Sequence, residues 1–115
     1  PLQGNVTKVT LPNQGSAALE AQIFLGDEVK VVSALQNIGS HLIGSNKKID
    51  AEVLVTGNDR EAVKLVIELI NDLGLTSWDA GCIENSAAAE ALTSILIFIN
   101  KRHKLKSSGI KITSH

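Results

Sequence analysis

Residues 49–74 read IDAEVLVTGNDREAVKLVIELINDLG, and this run decides the fold class. Residues 49–56 are mostly apolar, and the reading predicts a strand. Gly57, Asn58 and Asp59 turn the chain and cap the next element. Val63, Val66, Ile67, Ile70 and Leu73 then recur at i, i+3, i+4, i+7 and i+10. That is the apolar stripe of an amphipathic helix over residues 60–73. Gly74 is its stop.

Toward the C-terminus, residues 75–79 predict a short strand, and Ala80-Gly81-Cys82-Ile83-Glu84 a loop. Asn85 or Ser86 is placed to cap a long helix reaching about His103. Its segment 91–99 (ALTSILIFI) is apolar almost all round, so the helix is expected at the centre of its domain or in a subunit interface. Lys101, Arg102, Lys104 and Lys106 crowd its end, where cations complement the helix dipole. Residues 109–113 (GIKIT) alternate as a final strand.

Toward the N-terminus, residues 5–11 (NVTKVTL) also alternate as a strand, and Pro12-Asn13-Gln14-Gly15 signals a turn. Ser16 can cap a helix over residues 17–25 that Gly26 ends. Residues 28–35 (EVKVVSAL) read as a strand covered on both faces. Strand, helix and strand together predict a parallel βαβ-type unit. The pattern dissolves over residues 36–48, with one helical turn around residues 40–43. The expected architecture is α/β, with the tail of a parallel sheet over residues 1–37. A small α+β domain with a central apolar helix and short strands occupies 38–115.

Composition narrows the function. The chain has 115 residues, 43% of them hydrophobic, with no apolar run of membrane-spanning length. A net charge of −1 and three aromatic residues (Phe24, Trp78, Phe98) argue against nucleic acid as a partner. Cys82 is the sole cysteine, which excludes an internal disulfide and fits a cytoplasmic setting. It reads as a small packing residue. His41, His103 and His115 show no metal-ligand spacing, and no nucleophile-base pairing is recognisable. Asn5-Val6-Thr7 matches the glycosylation pattern, a match short enough to arise by chance. The absence of methionine, taken with the truncated parallel unit, predicts a chain that begins inside a longer protein. No Gly-x-Gly-x-x-Gly follows a strand, so the usual pyrophosphate cradle is missing.

Gln36, Asn37, Ile38 and Gly39 lie just past the C-terminal end of a strand, where ligands of α/β sheets collect and where interdomain linkers also run. Ala80-Gly81 and Ser108-Gly109 are small residues beside strands. A planar ring could approach the backbone there, and tight packing is the ordinary reason for such glycines.

Five short stretches, in order, carry a resemblance: Lys30-Val31-Val32-Ser33-Ala34-Leu35-Gln36-Asn37-Ile38; Asp59-Arg60-Glu61-Ala62; Asp79-Ala80-Gly81 with Glu84-Asn85-Ser86; Glu90-Ala91-Leu92-Thr93; and Ser108-Gly109-Ile110-Lys111. Their order and spacing resemble the C-terminal portion of NADPH-dependent reductases of coenzyme F-420, a deazaflavin. Relatives often carry a His-Thr-Ile-Pro-like stretch where this chain has Gln36-Asn37-Ile38-Gly39, and Thr-Pro where it has Thr93-Ser94. The resemblance implies that residues 1–37 end a Rossmann-like unit and that 38–115 form a domain covering the cofactor. It implies NADP and coenzyme F-420 as cofactors, with Gln36, Asn37, Ile38, Gly39, Ala80, Gly81, Ser108 and Gly109 as the residues contacting them. It further implies hydride transfer between the two rings, with protein supplying position and shielding. An apolar strand left without most of its sheet, and the apolar helix segment 91–99, predict a homodimer or a partner chain supplying the missing Rossmann half. The alternative is a non-catalytic oligomerisation or binding module derived from such an enzyme.

Overall fold

The structure, a computed structural model, describes residues 6–39, 41–43 and 48–115. Among them are helices α1 (Ala17–Leu25), α2 (Arg60–Asp72) and α3 (Ser86–His103), and strands β1 (Val32–Ser33), β2 (Glu52–Gly57) and β3 (Thr76–Asp79). A short 3-10 turn, Ile83–Asn85, leads into α3. The result is a small α/β fold. No helix among the described residues is long and apolar enough to cross a membrane.

Residues 49–74 form the frame. β2 lies at the middle of a three-stranded mixed sheet, with β1 antiparallel on one side and β3 parallel on the other. Asp59 caps α2, its carboxylate accepting from Ala62 N at 2.9 Å. Gly74, at φ 85°, turns the chain out of the helix into β3. Val63 and Ile70 of α2 pack on Val53, Val55, Leu75 and Ile38 to form the core. Each fully enclosed side chain there contributes about 1.5–3 kcal/mol.

A second contact joins α1 to α3 through polar groups, and proton counting orders it. Ser86 Oγ donates its one proton to Ile83 O at 2.7 Å. Ser16 Oγ, 2.7 Å away, therefore donates to Ser86 Oγ, while accepting from Leu19 N at 3.0 Å as the α1 cap. Both serines are fully buried, and both hydroxyl protons have an acceptor. Glu90 of α3 adds a carboxylate to the same helix end, accepting from Ala17 N at 2.8 Å and Ala18 N at 3.1 Å.

Several expectations are corrected. Residues 6–11 form no strand, and Val9 and Leu11 are exposed. Asn5, the start of that expected strand and of the Asn5-Val6-Thr7 pattern, lies outside the described residues, as does Ser40 of the expected helical turn. Residues 41–43 do turn, with Leu42 N bonded to Gly39 O at 2.9 Å. The strand expected over 28–35 contracts to Val32–Ser33, and it pairs antiparallel rather than in a parallel unit. The cause is local: the Gln22 amide donates to Val29 O at 2.7 Å and accepts from Val31 N at 3.1 Å, taking groups a ladder would use.

Leu73, the last residue of the expected α2 stripe, is exposed beyond the helix. Asn85 takes the N-cap position of α3 but makes no side-chain cap bond, and the Ser86 hydroxyl donates to Ile83 O. α3 is buried on one side only. Leu96 is 9% exposed and Ser94 and Ala89 are buried, whereas Ile95 is 46% exposed and Phe98 also faces out. Residues 109–113 run beside β2 without becoming a strand. Glu52 N donates to Ile110 O at 2.8 Å, but Ile112 N turns to the Glu52 carboxylate instead of the backbone. Cys82 is exposed, not packed.

Candidate functional site

Leu35, just past β1, has φ 64°, a left-handed conformation that a branched side chain adopts only under constraint. The turn it makes, closed by Ile38 N to Leu35 O at 3.3 Å, carries Gln36 and Asn37 across to α3. There the Thr93 hydroxyl lies 3.0 Å from Gln36 O, to which it donates, and 3.3 Å from Asn37 Oδ1. The Gln36 amide also donates back to Ser33 Oγ of β1. Ile38 then drops into the core at 8% exposure, anchoring the turn. Gly39 lies so close under the His41 ring that a Cβ would come within 2.7 Å of it.

Between this turn and α3 runs a groove of about 240 Å³. Gln36, Asn37, Ile38 and Gly39 form one wall, and Thr93, Leu96, Ile97 and Asn100 of α3 form the floor. Lys106, Ser107 and Ser108 close the end, with Ser108 Oγ reaching Leu96 O at 3.4 Å. A second hollow of about 440 Å³ shares Gln36 and Thr93 with the first and continues past β1 to Ala17, Ala18 and Glu90. Five of the eight candidate residues therefore line one groove: Gln36, Asn37, Ile38, Gly39 and Ser108.

The other three lie elsewhere. Gly109 backs onto β2, where a Cβ would overlap that of Ala51, so close packing accounts for this glycine. Ala80 and Gly81 sit at the C-terminal ends of β2 and β3. Ala80 N donates to Val55 O at 2.7 Å, and Gly57 N donates to Gly81 O at 3.0 Å. Gly81 has φ 98°, and its neighbour Ala80 accepts from Asn85 Nδ2 at 2.8 Å. Ile110 contacts β2 at Glu52 and Ala80 contacts it at Val55, three residues apart. That separates the two glycine segments by roughly 10 Å along the strand.

Two carboxylates brace these ends. Asp79 accepts from Gly81 N at 3.0 Å and pairs with Arg60 at 2.7 Å, and both hold its carboxyl below the ordinary value. Glu52 Oε1 accepts from Ile112 N at 2.8 Å and from Trp78 Nε1 at 2.9 Å, which likewise lowers its pKa and pins the C-terminal tail beside β2.

Sequence reading missed Leu96, Ile97 and Asn100, although with Thr93 they recur at i, i+3, i+4 and i+7 on one face of α3. Lys106, read as complementing the helix dipole, also borders the groove. Among the described residues no group of three or more His, Cys, Asp or Glu side chains could hold a metal ion. The lining of the groove contains no carboxylate and no cysteine. Hydroxyl, amide and apolar groups dominate it, and the His41 imidazole and the Lys106 ammonium also line it.

No protein-family model matches the chain. It is 41% identical over 110 residues to the F420-dependent NADP reductase of Methanocaldococcus jannaschii, covering 94% of this chain and 49% of that protein. It is 34% identical over 103 residues to the F420-dependent NADP reductase of Methanothermobacter marburgensis, covering 87% of this chain and 46% of that protein. A crystal structure from Arthrobacter sp. FB24, provisionally assigned as an F420-dependent NADP-reductase, superposes with a TM-score of 0.79 at 27% identity. The match covers 89% of this chain and 47% of that one. The chain thus spans about half the length of the curated relatives it matches. The regions matched are C-terminal, and the chain is a homologue of the C-terminal part of the F420-dependent NADP reductases.

Proposed function

We propose that the chain forms the deazaflavin-facing wall of an oxidoreductase that moves hydride between NADP(H) and coenzyme F-420. The observation that carries this reading is the convergence of Gln36–Gly39 and Ser108, distant in sequence, on one groove floored by Leu96 and Ile97 of α3. When bound, the deazaflavin ring supplies the hydride-accepting or hydride-donating carbon. The chain's own residues bind and orient: Leu96 and Ile97 offer an apolar face, Thr93 fixes the Gln36–Asn37 turn, and the walls exclude water from one side. Hydride transfer asks no acid or base of Thr93, Leu96 or Ile97.

The pyrophosphate of NADP belongs on other residues. A dinucleotide is held by free N–H groups where a glycine-rich turn enters a helix; here Glu90 takes two such groups of α1, Asp59 takes the Ala62 N–H of α2, and no glycine-rich turn leads into α3. We read residues 1–37 as the end of a Rossmann-like unit and 38–115 as the cofactor-covering domain, in a protein of the cytoplasm. Phe24 of α1, 88% exposed, with Ile23 and Leu25, supports cover by a Rossmann half or a second copy.

Amide spectra of the isotope-labelled chain test this reading. Added 5-deazariboflavin is expected to shift resonances of residues 36–39, 93–100 and 106–108, and NADPH to leave the α1 and α2 N-termini unmoved. Deazaflavin shifts absent, or confined to other residues, overturn the proposal.

A further inference from the structure

Asn100 stands out within this groove. Among the described residues, two buried side-chain oxygens have no hydrogen-bond partner, Thr56 Oγ1 and Asn100 Oδ1. Thr56 is enclosed in β2, whereas Asn100 is a lining residue of the groove. An enclosed carboxamide oxygen without a donor is costly, and native structures keep few such groups. The terminal torsion of a carboxamide is broad and roughly two-fold, so this group can turn toward the groove it lines. It can thereby present an acceptor and a donor side by side to whatever enters.

Position along α3 says what that is. Thr93 and Asn100 lie seven residues apart on one face, about 10 Å at the helical rise, with Leu96 and Ile97 between them. The floor is thus polar at both ends and apolar in the middle. A fused three-ring system has about that length, whereas a single nicotinamide ring spans only half of it. The pyrimidine end of a deazaflavin carries an imide, a ring N–H flanked by carbonyls, and an imide is the hydrogen-bonding complement of a primary carboxamide.

We infer that Asn100 is a specificity-determining residue of this groove, its carboxamide pairing with the imide edge of the deazaflavin ring. The inference rests on the function proposed above. The imide N–H donates to Asn100 Oδ1, and Asn100 Nδ2 donates to an adjacent ring carbonyl. A ligand lacking the N–H leaves the oxygen unpaired, which is how a buried polar group rejects an analogue.

The test titrates the chain with 5-deazariboflavin and with its N3-methyl derivative, following ligand fluorescence and the Asn100 side-chain amide resonance. The wild-type chain is expected to bind the unmethylated ring about tenfold more tightly, the worth of one neutral hydrogen bond. Its Asn100 amide resonance should shift with that ring alone. Asn100→Leu, nearly isosteric, should bind both rings within about twofold of each other. Equal wild-type affinity for the two rings overturns the inference while leaving the groove assignment standing. Discrimination that persists in Asn100→Leu overturns it as well. Failure of both rings to bind overturns the groove assignment, and this inference with it. The wild-type comparison alone decides the matter if Asn100→Leu does not fold.

Discussion

Glu52 shows how a single half-buried residue organises a distant segment through its carboxylate. One oxygen receives both the Ile112 amide and the Trp78 indole, so the tail holding Ser108 at the groove depends on it. These donors favour the ionised form, foremost the Ile112 N–H and then Trp78, and place the folded pKa below the ordinary 4.5. A lowered folded pKa contributes stability that is present above about 4.5 and is lost as pH falls through the folded value. Asp79 acts in the same direction from its own ordinary value of 3.8. Glu52→Gln is therefore expected to melt below the wild type at neutral pH, with the gap closing in acid where the wild-type carboxyl takes up its proton. Thermal melts of both proteins across pH 3 to 7, a range of roughly one unit or more about the carboxylate pKa, check this. A constant gap would mean that ionisation of Glu52 does not hold the tail.

At the scale of elements, α3 departs furthest from its sequence signature. Nearly continuous apolarity over residues 91–99 predicts burial on more than one side, yet the helix buries Ala89, Ser94 and Leu96 and turns Ile95 and Phe98 outward. Arg102 stacks over the Phe98 ring, 4.9 Å from its centre, which partly covers that side chain. The energetic weight should follow geometry and not hydropathy. Leu96→Ala is expected to cost about 2–4 kcal/mol by leaving a cavity, and Ile95→Ala less than about 1 kcal/mol. Urea denaturation of the two variants separates the cases. Equal losses would show that residue 95 is enclosed in solution, as in a subunit interface.

Taken whole, the molecule leaves much apolar surface in water. Ile23, Phe24 and Leu25 of α1 are exposed, and so are Leu65 and Leu69 of α2 with Leu73 after it. Patches of this kind are uncommon on monomers and favour association. β3 is an outer strand of the sheet, so it presents an edge that can accept another strand. Light scattering at two concentrations is expected to give about twice the 12.2 kDa chain mass at the higher one. A monomer at both would show that the α1 and α2 patches need no second copy.

Local signals in the sequence determined the elements whose stability is local. The Ser16 and Asp59 caps, the Gly26 and Gly74 stops, and the α2 stripe were all legible, because capping and amphipathic periodicity act within a few residues. The turn at Gln36–Gly39 and the small residue Ser108 were legible as candidates through their positions beside strands and through the family resemblance. What the sequence could not settle depended on partners far along the chain. Residues 6–11 alternate as well as β2 does, but among the described residues no strand pairs with them. Residues 28–35 lose their ladder to the amide of Gln22, and Ala80-Gly81 and Ser108-Gly109, alike in composition, end roughly 10 Å apart along β2. Asn100 carries no local mark at all. Its interest arises only because α3, the Leu35 turn and the tail held by Glu52 fold together around it.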